Sequence, residues 1–286
     1  LNKHAAPGSA SAQERMEPAQ RHRPRKRFGQ HFLRDRSVVA RIVAAIAPAS
    51  ADRILEIGPG DGALTAALAG RAQHLHVIEI DRDLAEQLRT RYDPHEVTVE
   101  QGDALAVDLR ALAGPLRVVG NLPYNISTPL LFRLLAQAEC IVDMHFMLQR
   151  EVVDRMVSAP GHSQYGRLSV MVQHRCTAAR LFTVPPGAFA PAPKVESAVV
   201  RLTPRPAAEL AAVDQETFAA IVTQAFSHRR KTLRNALAPI ADAAFLQRLG
   251  IDPRLRPENL SFADYRRLAA AAAAPAAAAP LSPPRS

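Results

Sequence analysis

The sequence predicts a doubly wound, mostly parallel α/β sheet followed by a second, smaller, all-helical domain. Between residues 53 and 121, short apolar runs alternate with helical patterns, as strands joined by crossover helices do. Beyond Pro204 and Pro206 only helical periodicity recurs. The unusual residues, Gly58, Gly60, Glu79, Asp103 and Asn121, fall at the carboxyl ends of the apolar runs. Open α/β sheets bind their ligands there.

In chain order, residues 1–22 are rich in Ala, Ser, Pro and polar side chains and are expected to form a mobile leader. The α/β domain is assigned to residues 23–206. Apolar residues at helical spacing from Ser37 to Ile46 predict a helix that Pro48 ends. "RILEIGPGDGALTAALAG" reads as a buried strand, a glycine-rich turn and a helix, and "HLHVIEID" with "DLAEQLRT" as the next strand and helix. "VTVEQGDAL" is a strand and loop, and "LRVVGNLPYNIS" a strand entering a loop. A helix at "STPLLFRLLAQ", a strand at "CIVDMHFMLQ" and two strand-like runs around a proline-rich loop in "RCTAARLFTVPPGAFAPAPKVESAVVRLTP" close the domain. The helical domain is assigned to 207–270, from "ETFAAIVTQAFSHRRKTLRNALA" and "DAAFLQRLG" to "SFADYRRLAAAAAA", with Ser261 as N-cap of the last helix. Residues 271–286 form an alanine- and proline-rich tail.

Composition narrows the function classes. A formal net charge of +9 points to an anionic partner. Arg25, Lys26 and Arg27, and again Arg229, Arg230, Lys231 and Arg234 in "FSHRRKTLRN", are candidates for RNA phosphate contacts, with a solvated helix face as the alternative. The two cysteines, Cys140 and Cys176, make neither a disulfide framework nor a zinc site, and no metal is expected. No secretory signal and no run of about 18 apolar residues is present, so a cytoplasmic protein without membrane association is expected. Walker A and nucleophile-elbow patterns are missing, which sets triphosphatases and serine hydrolases aside.

The motifs suggest a nucleoside clamp. In "EIGPGDG" the missing side chains of Gly58 and Gly60 let the backbone turn sharply and approach a ligand, although a tight turn or a dinucleotide site uses glycine in the same way. Glu79 ends the next strand, where its carboxylate can accept both ribose hydroxyls; a helix-start role suits Asp81 and Asp83 better. Asp103 can accept an adenine amino hydrogen beside the Ala104 backbone donor, or make a local Asx turn. In "NLPY", Pro123 stiffens the loop, so that Asn121 and a backbone carbonyl at Leu122 can accept both hydrogens of an exocyclic amine while Tyr124 stacks on its base.

Together "FGQHFL", "EIGPGDG", "VIEID", "GDAL" and "NLPY" resemble the ribosomal RNA adenine N6-dimethyltransferase family over about residues 25–270, more closely its small-subunit branch. His31 stands where that family usually has Asn, and Asp61 where an apolar or basic residue is commoner. The resemblance implies a Rossmann-like methyltransferase sheet using S-adenosyl-L-methionine. It puts Gln30, His31, Leu33, Gly58, Gly60, Glu79, Asp103, Ala104 and Asn121 at the cofactor, and Asn121, Leu122, Tyr124 and Phe189 at the target base. From the residues alone, Phe189 can equally pack beneath the proline-rich loop. The implied reaction is dimethylation of two adjacent adenines near the 3′ end of 16S rRNA, on the immature 30S subunit, by a monomer. A 23S rRNA methyltransferase conferring antibiotic resistance, and a non-catalytic RNA-binding assembly or transcription factor, are the alternatives.

Overall fold

The computed structural model describes residues 30–124, 126–210 and 213–273. The leader at 1–22, the cations Arg25, Lys26 and Arg27, and the tail beyond residue 273 lie outside the described residues.

A seven-stranded sheet runs in the order β4-β3-β2-β5-β6-β9-β7. Its strands are β2 (Arg53–Ile57), β3 (His74–Glu79), β4 (Val97–Gln101), β5 (Leu116–Asn121), β6 (Ile141–Gln149), β7 (Cys176–Val184) and β9 (Ser197–Pro204). The strands from β4 to β6 are mutually parallel, and β9 is antiparallel to both β6 and β7. Strand order reverses between β2 and β5, and a crevice forms beyond the carboxyl ends of strands at such a switch point. A separate ribbon pairs β1 (Phe32–Leu33) antiparallel with β8 (Phe189–Ala190) inside the proline-rich loop, a contact the sequence reading does not contain.

Helices α1 (Arg36–Ile46), α2 (Ala63–Leu68), α3 (Arg82–Arg91) and α4 (Ser127–Leu135) follow the predicted spacing. The Asp35 carboxylate caps α1 by accepting the Ser37 N–H at 2.8 Å, and Asp81 caps α3. Strands β2, β5 and β6 contribute alternate residues to two apolar clusters, one on each sheet face, as the period of two requires. One cluster holds Leu55, Val118, Met144 and Phe146; the other holds Ile54, Val119 and Met147 with residues of α1 and α2.

Residues 150–175, unassigned from sequence, fold as α5 (Arg150–Val157) and α6 (Arg167–Arg175). Both are short, and α5 carries Asp154 and Arg155 in its interior, which blurs the periodicity. Beyond β9 come α7 (Ala207–Leu210), α8 (Gln215–Ser227), α9 (Leu233–Ala236), α10 (Ala243–Arg248) and α11 (Phe262–Ala273). Ser261 caps α11 reciprocally: its Oγ accepts the Asp264 N–H and the Asp264 carboxylate accepts the Ser261 N–H. The third core cluster joins Phe218, Val222, Leu233, Leu237 and Tyr265 to Tyr165 and Val170, which lie upstream of residue 206. The Tyr165 hydroxyl donates to the Leu260 carbonyl at 2.9 Å, and His174 stacks on Phe218 with ring centroids 3.9 Å apart. The helical unit is thereby keyed to α6.

The basic stretch "FSHRRKTLRN" is not one helix. Helix α8 ends at Ser227, residues 228–232 turn, and α9 starts at Leu233. Leu233 and Leu237 are buried, as an anchoring role requires.

Candidate active site

A cavity of about 1100 Å³, counting its open mouth, lies at the switch point between β2 and β5. Among the sequence-nominated residues it gathers Gln30, His31, Leu33, Gly58, Gly60, Glu79, Asp103, Ala104, Asn121, Leu122 and Tyr124.

One end of the cavity is built on β2, β3 and β4. Gly60 has φ of +61°, and a Cβ there would come within 3.0 Å of the Phe32 ring, so both conformation and space ask for glycine. The buried Glu79 carboxylate accepts the Gly60 N–H at 3.0 Å and the Asp81 N–H at 2.9 Å. Burial raises its pKa, and the two backbone bonds work against that rise. Each carboxylate oxygen retains a second acceptor direction for a hydroxyl. Asp103 does make the local turn, its Oδ1 accepting the Leu105 N–H at 2.9 Å, and it still lines the cavity. Gln30 reaches toward Asp81, with Nε2 3.5 Å from Oδ2.

The opposite end joins three distant segments. Asn121 Nδ2 donates to the His31 carbonyl at 2.9 Å, which orients the amide and leaves Oδ1 as its free-standing acceptor. His31 Nδ1 lies 2.8 Å from the Pro191 carbonyl; because a carbonyl only accepts, Nδ1 carries the proton. The Tyr124 hydroxyl is 2.7 Å from Ser197 Oγ, and its ring centroid is 5.7 Å from that of His31. The "NLPY" loop, the "GQHFL" segment and the proline-rich loop thus hold one another.

Two of the nominated residues make contacts away from the cavity. Phe189 is only 5% exposed, pairs with Leu33 and packs in the core cluster with Val38 and Ile42, not in the cavity lining. The apolar surface beneath the loop holds its ring, as the packing alternative has it. Arg229 is not a free cation: its Nε donates to Glu258 at 3.2 Å and a terminal nitrogen to the Ser163 carbonyl at 2.8 Å. It ties the turn after α8 to the α5–α6 connection. Arg230, Lys231 and Arg234 are exposed, with no side-chain ion pair among the described residues. Asp61 pairs with Arg34 at 2.5 Å, so the acid at that position has a cation beside it.

Glu56, which opens "EIGPGDG", receives no role in the motif reading, and His145 lies outside the motifs. Each is a polar residue inside an apolar strand, the one signal that would have found them. Glu56 is 1% exposed, lines the cavity and accepts a 2.7 Å bond from Thr65 Oγ1. Burial, opposed by the Thr65 bond and aided by Glu79 and Asp61, pushes its pKa up to about 8. A carboxyl that keeps its proton when folded but loses it near 4.5 when unfolded weakens the fold as pH rises between those values, after which the loss is constant. Glu56→Gln is therefore expected to flatten the pH dependence of urea stability from pH 5 to 8, removing at most about 4 kcal/mol of it. An unchanged slope in the variant would assign the pH dependence to other groups.

The chain's likeness to known proteins follows the same segments. The sequence profile described as "Ribosomal RNA adenine dimethylase" matches residues 21–274. The "Ribosomal RNA small subunit methyltransferase A" of Aromatoleum aromaticum is 56% identical over 244 residues, covering 85% of this chain and 92% of its own. That of Chromobacterium violaceum is 54% identical, covering 87% and 95%. Among solved structures, a dimethyladenosine transferase from Plasmodium falciparum superposes with a TM-score of 0.74 at 26% identity, covering 83% of this chain and 96% of its own. The 23S rRNA methyltransferase ErmE superposes with 0.65 at 27% identity, covering 83% and 97%.

Proposed function

The chain belongs to the ribosomal RNA adenine dimethylase family, and from that premise we propose that it dimethylates N6 of two adjacent adenines near the 3′ end of 16S rRNA, acting as a monomer on the immature 30S subunit. S-adenosyl-L-methionine, when bound, supplies an electrophilic methyl group. The residues present suit it: a glycine turn open to close approach, a buried acid for the ribose in Glu79, and Asp103 with Ala104 at the adenine end.

The observation that carries the reading is the Asn121–His31 hydrogen bond. It leaves Asn121 Oδ1 as an acceptor beside Tyr124, and the Leu122 carbonyl is the second acceptor of the pair. An adenine N6 is a poor nucleophile because its lone pair is delocalised into the ring. Two acceptors on its hydrogens favour a pyramidal nitrogen and hold the lone pair toward the methyl donor. Orientation and fixed polarity do this without a base, since the proton leaves once the nitrogen is cationic. The base has to leave its stack to reach this pocket, and the Tyr124 ring offers it a face. Exposed Arg230, Lys231 and Arg234, with Arg25, Lys26 and Arg27, serve phosphate contacts.

Transfer of labelled methyl groups to unmethylated 30S particles and, in a parallel reaction, to 23S RNA, followed by mapping, tests the reading. Two dimethylated neighbours near the 16S 3′ end are expected. Labelling confined to 23S RNA would select the ErmE-like substrate, and binding without transfer would remove the catalytic assignment.

A further inference from the structure

The cavity floor contains a buried imidazole that the chemistry above leaves unused. His145 is 2% exposed and lines the cavity, and no hydrogen bond of ordinary geometry reaches either ring nitrogen, although the Ala45 backbone and, at 3.7 Å, Asp143 Oδ1 stand beside the ring. A desolvated polar side chain without a partner costs stability, so its retention calls for a compensating role. Burial lowers its pKa and keeps it neutral.

Register fixes where it stands. Glu56 on β2 pairs with Val119 on β5, Val119 with His145 on β6, and His145 with Arg201 on β9. These residues form one row on the sheet face that carries α1 and α2. Asn121 and Met147 form the next row on that face, about 7 Å nearer the mouth. The strand order lays Asp103, Glu79, Gly58, Asn121 and His145 across the sheet in sequence, over about 19 Å for four strand spacings. A cofactor whose adenine lies at the Asp103 end points its far end toward β6, beneath the target amine.

That far end is an amino acid, with an ammonium and a carboxylate. The floor offers a matching pair: Glu56, held by Thr65, and His145 on the other side of Val119. Around the imidazole, two guanidinium groups stand against one carboxylate. Arg117 and Arg201 flank it, and Asp143, whose Oδ1 is 3.7 Å from Nδ1, already receives two hydrogen bonds from Arg117. Resting on the cofactor reading above, we propose that His145 is a cofactor-binding residue that receives the carboxylate of the amino-acid tail, with Glu56 facing the ammonium group.

Calorimetric titration with two ligands tests this. S-adenosylhomocysteine carries the tail; 5′-methylthioadenosine keeps the nucleoside and thioether without it. His145→Phe is expected to weaken S-adenosylhomocysteine about tenfold, or about 1.4 kcal/mol, while methylthioadenosine changes by less than about twofold. His145→Gln, which can still donate to a carboxylate, recovers part of the loss. In the wild type, the His145 imidazole NMR signals respond to S-adenosylhomocysteine and not to methylthioadenosine. Equal weakening of both ligands, or of neither, would overturn the proposal by making His145 a packing residue or a spectator. Should the phenylalanine variant not fold, an imidazole that ignores S-adenosylhomocysteine overturns it on wild-type protein alone. Wild-type protein that binds neither ligand removes the cofactor reading itself, a pattern distinct from failure at His145.

Discussion

Replacing Asn121 with alanine is expected to lower the rate of methyl transfer by about 10²–10³-fold, with a smaller effect on S-adenosylhomocysteine affinity. The loss is large because the amide does two jobs at once. Oδ1 is an acceptor set against the amine, and Nδ2 is spent on the His31 carbonyl at 2.9 Å, so the acceptor needs no reorientation when the substrate arrives. An acceptor that matters most as the nitrogen pyramidalises acts mainly in the transition state, so kcat and kcat/KM should fall together while KM for the particle holds. Asn121→Asp separates the two jobs. Aspartate keeps an oxygen for the amine but cannot donate to His31, and its charge is repelled by that carbonyl. Its activity should fall between alanine and wild type, with weaker cofactor binding because the "GQHFL" segment loses its tie. Single-turnover transfer to 30S particles measures both variants; an alanine variant within about threefold of wild type would mean that the Leu122 carbonyl and Tyr124 suffice.

The distribution of what was legible in the sequence follows from interaction range. Strands and helices up to Leu135 could be read because each carries its own periodicity, cap or breaker within a few residues, as at Asp81 and Pro48. The positions of Gly58, Glu79, Asp103 and Asn121 could be read because a parallel sheet delivers every strand's carboxyl end to one edge. What escaped depends on partners far along the chain. His31 meets Pro191 across 160 positions, and the β1–β8 ribbon that draws Phe189 into the core joins segments just as distant. Arg229 looks like any other cation in a basic run until Glu258 and Ser163 are folded beside it. His145 was visible only as a polar residue in an apolar strand, and Glu56 as the first residue of "EIGPGDG" without an assigned role. Such a signal marks a buried group without saying which ligand or side chain satisfies it.

Arg117 is where removal of one side chain should cost the fold most. Its guanidinium makes a two-pronged contact with Asp143, at 2.9 and 2.7 Å, and reaches Asp52 at 2.8 Å. It also donates to the Ile46 and Ala47 carbonyls at 2.6 and 3.3 Å, which caps the C-terminal end of α1. Five donors thereby join β5 to β6, α1 and the loop before β2, with all three charged side chains at most 22% exposed. Hydrogen bonds donated to Asp143, opposed by burial and reinforced by Asp52, raise the guanidinium pKa further. Asp52 is affected in turn: burial acts to raise its pKa, but the Ala49 N–H and Arg117 outweigh it and the net shift is downward. Arg117→Met fills similar space but leaves two carboxylates and two helix-end carbonyls poorly served, and should destabilise the protein by about 3–5 kcal/mol in urea unfolding at pH 7. Arg117→Lys should recover less than half of that, because an ammonium cannot span both Asp143 oxygens, Asp52 and the α1 carbonyls together. Since the depressed Asp52 pKa lends stability above the unfolded pKa that is lost as pH falls through the folded one, the methionine variant should also lose part of the wild type's decline in acid. A deficit below about 1 kcal/mol would put this network with ordinary surface ion pairs and leave the α1 end to be held by packing alone.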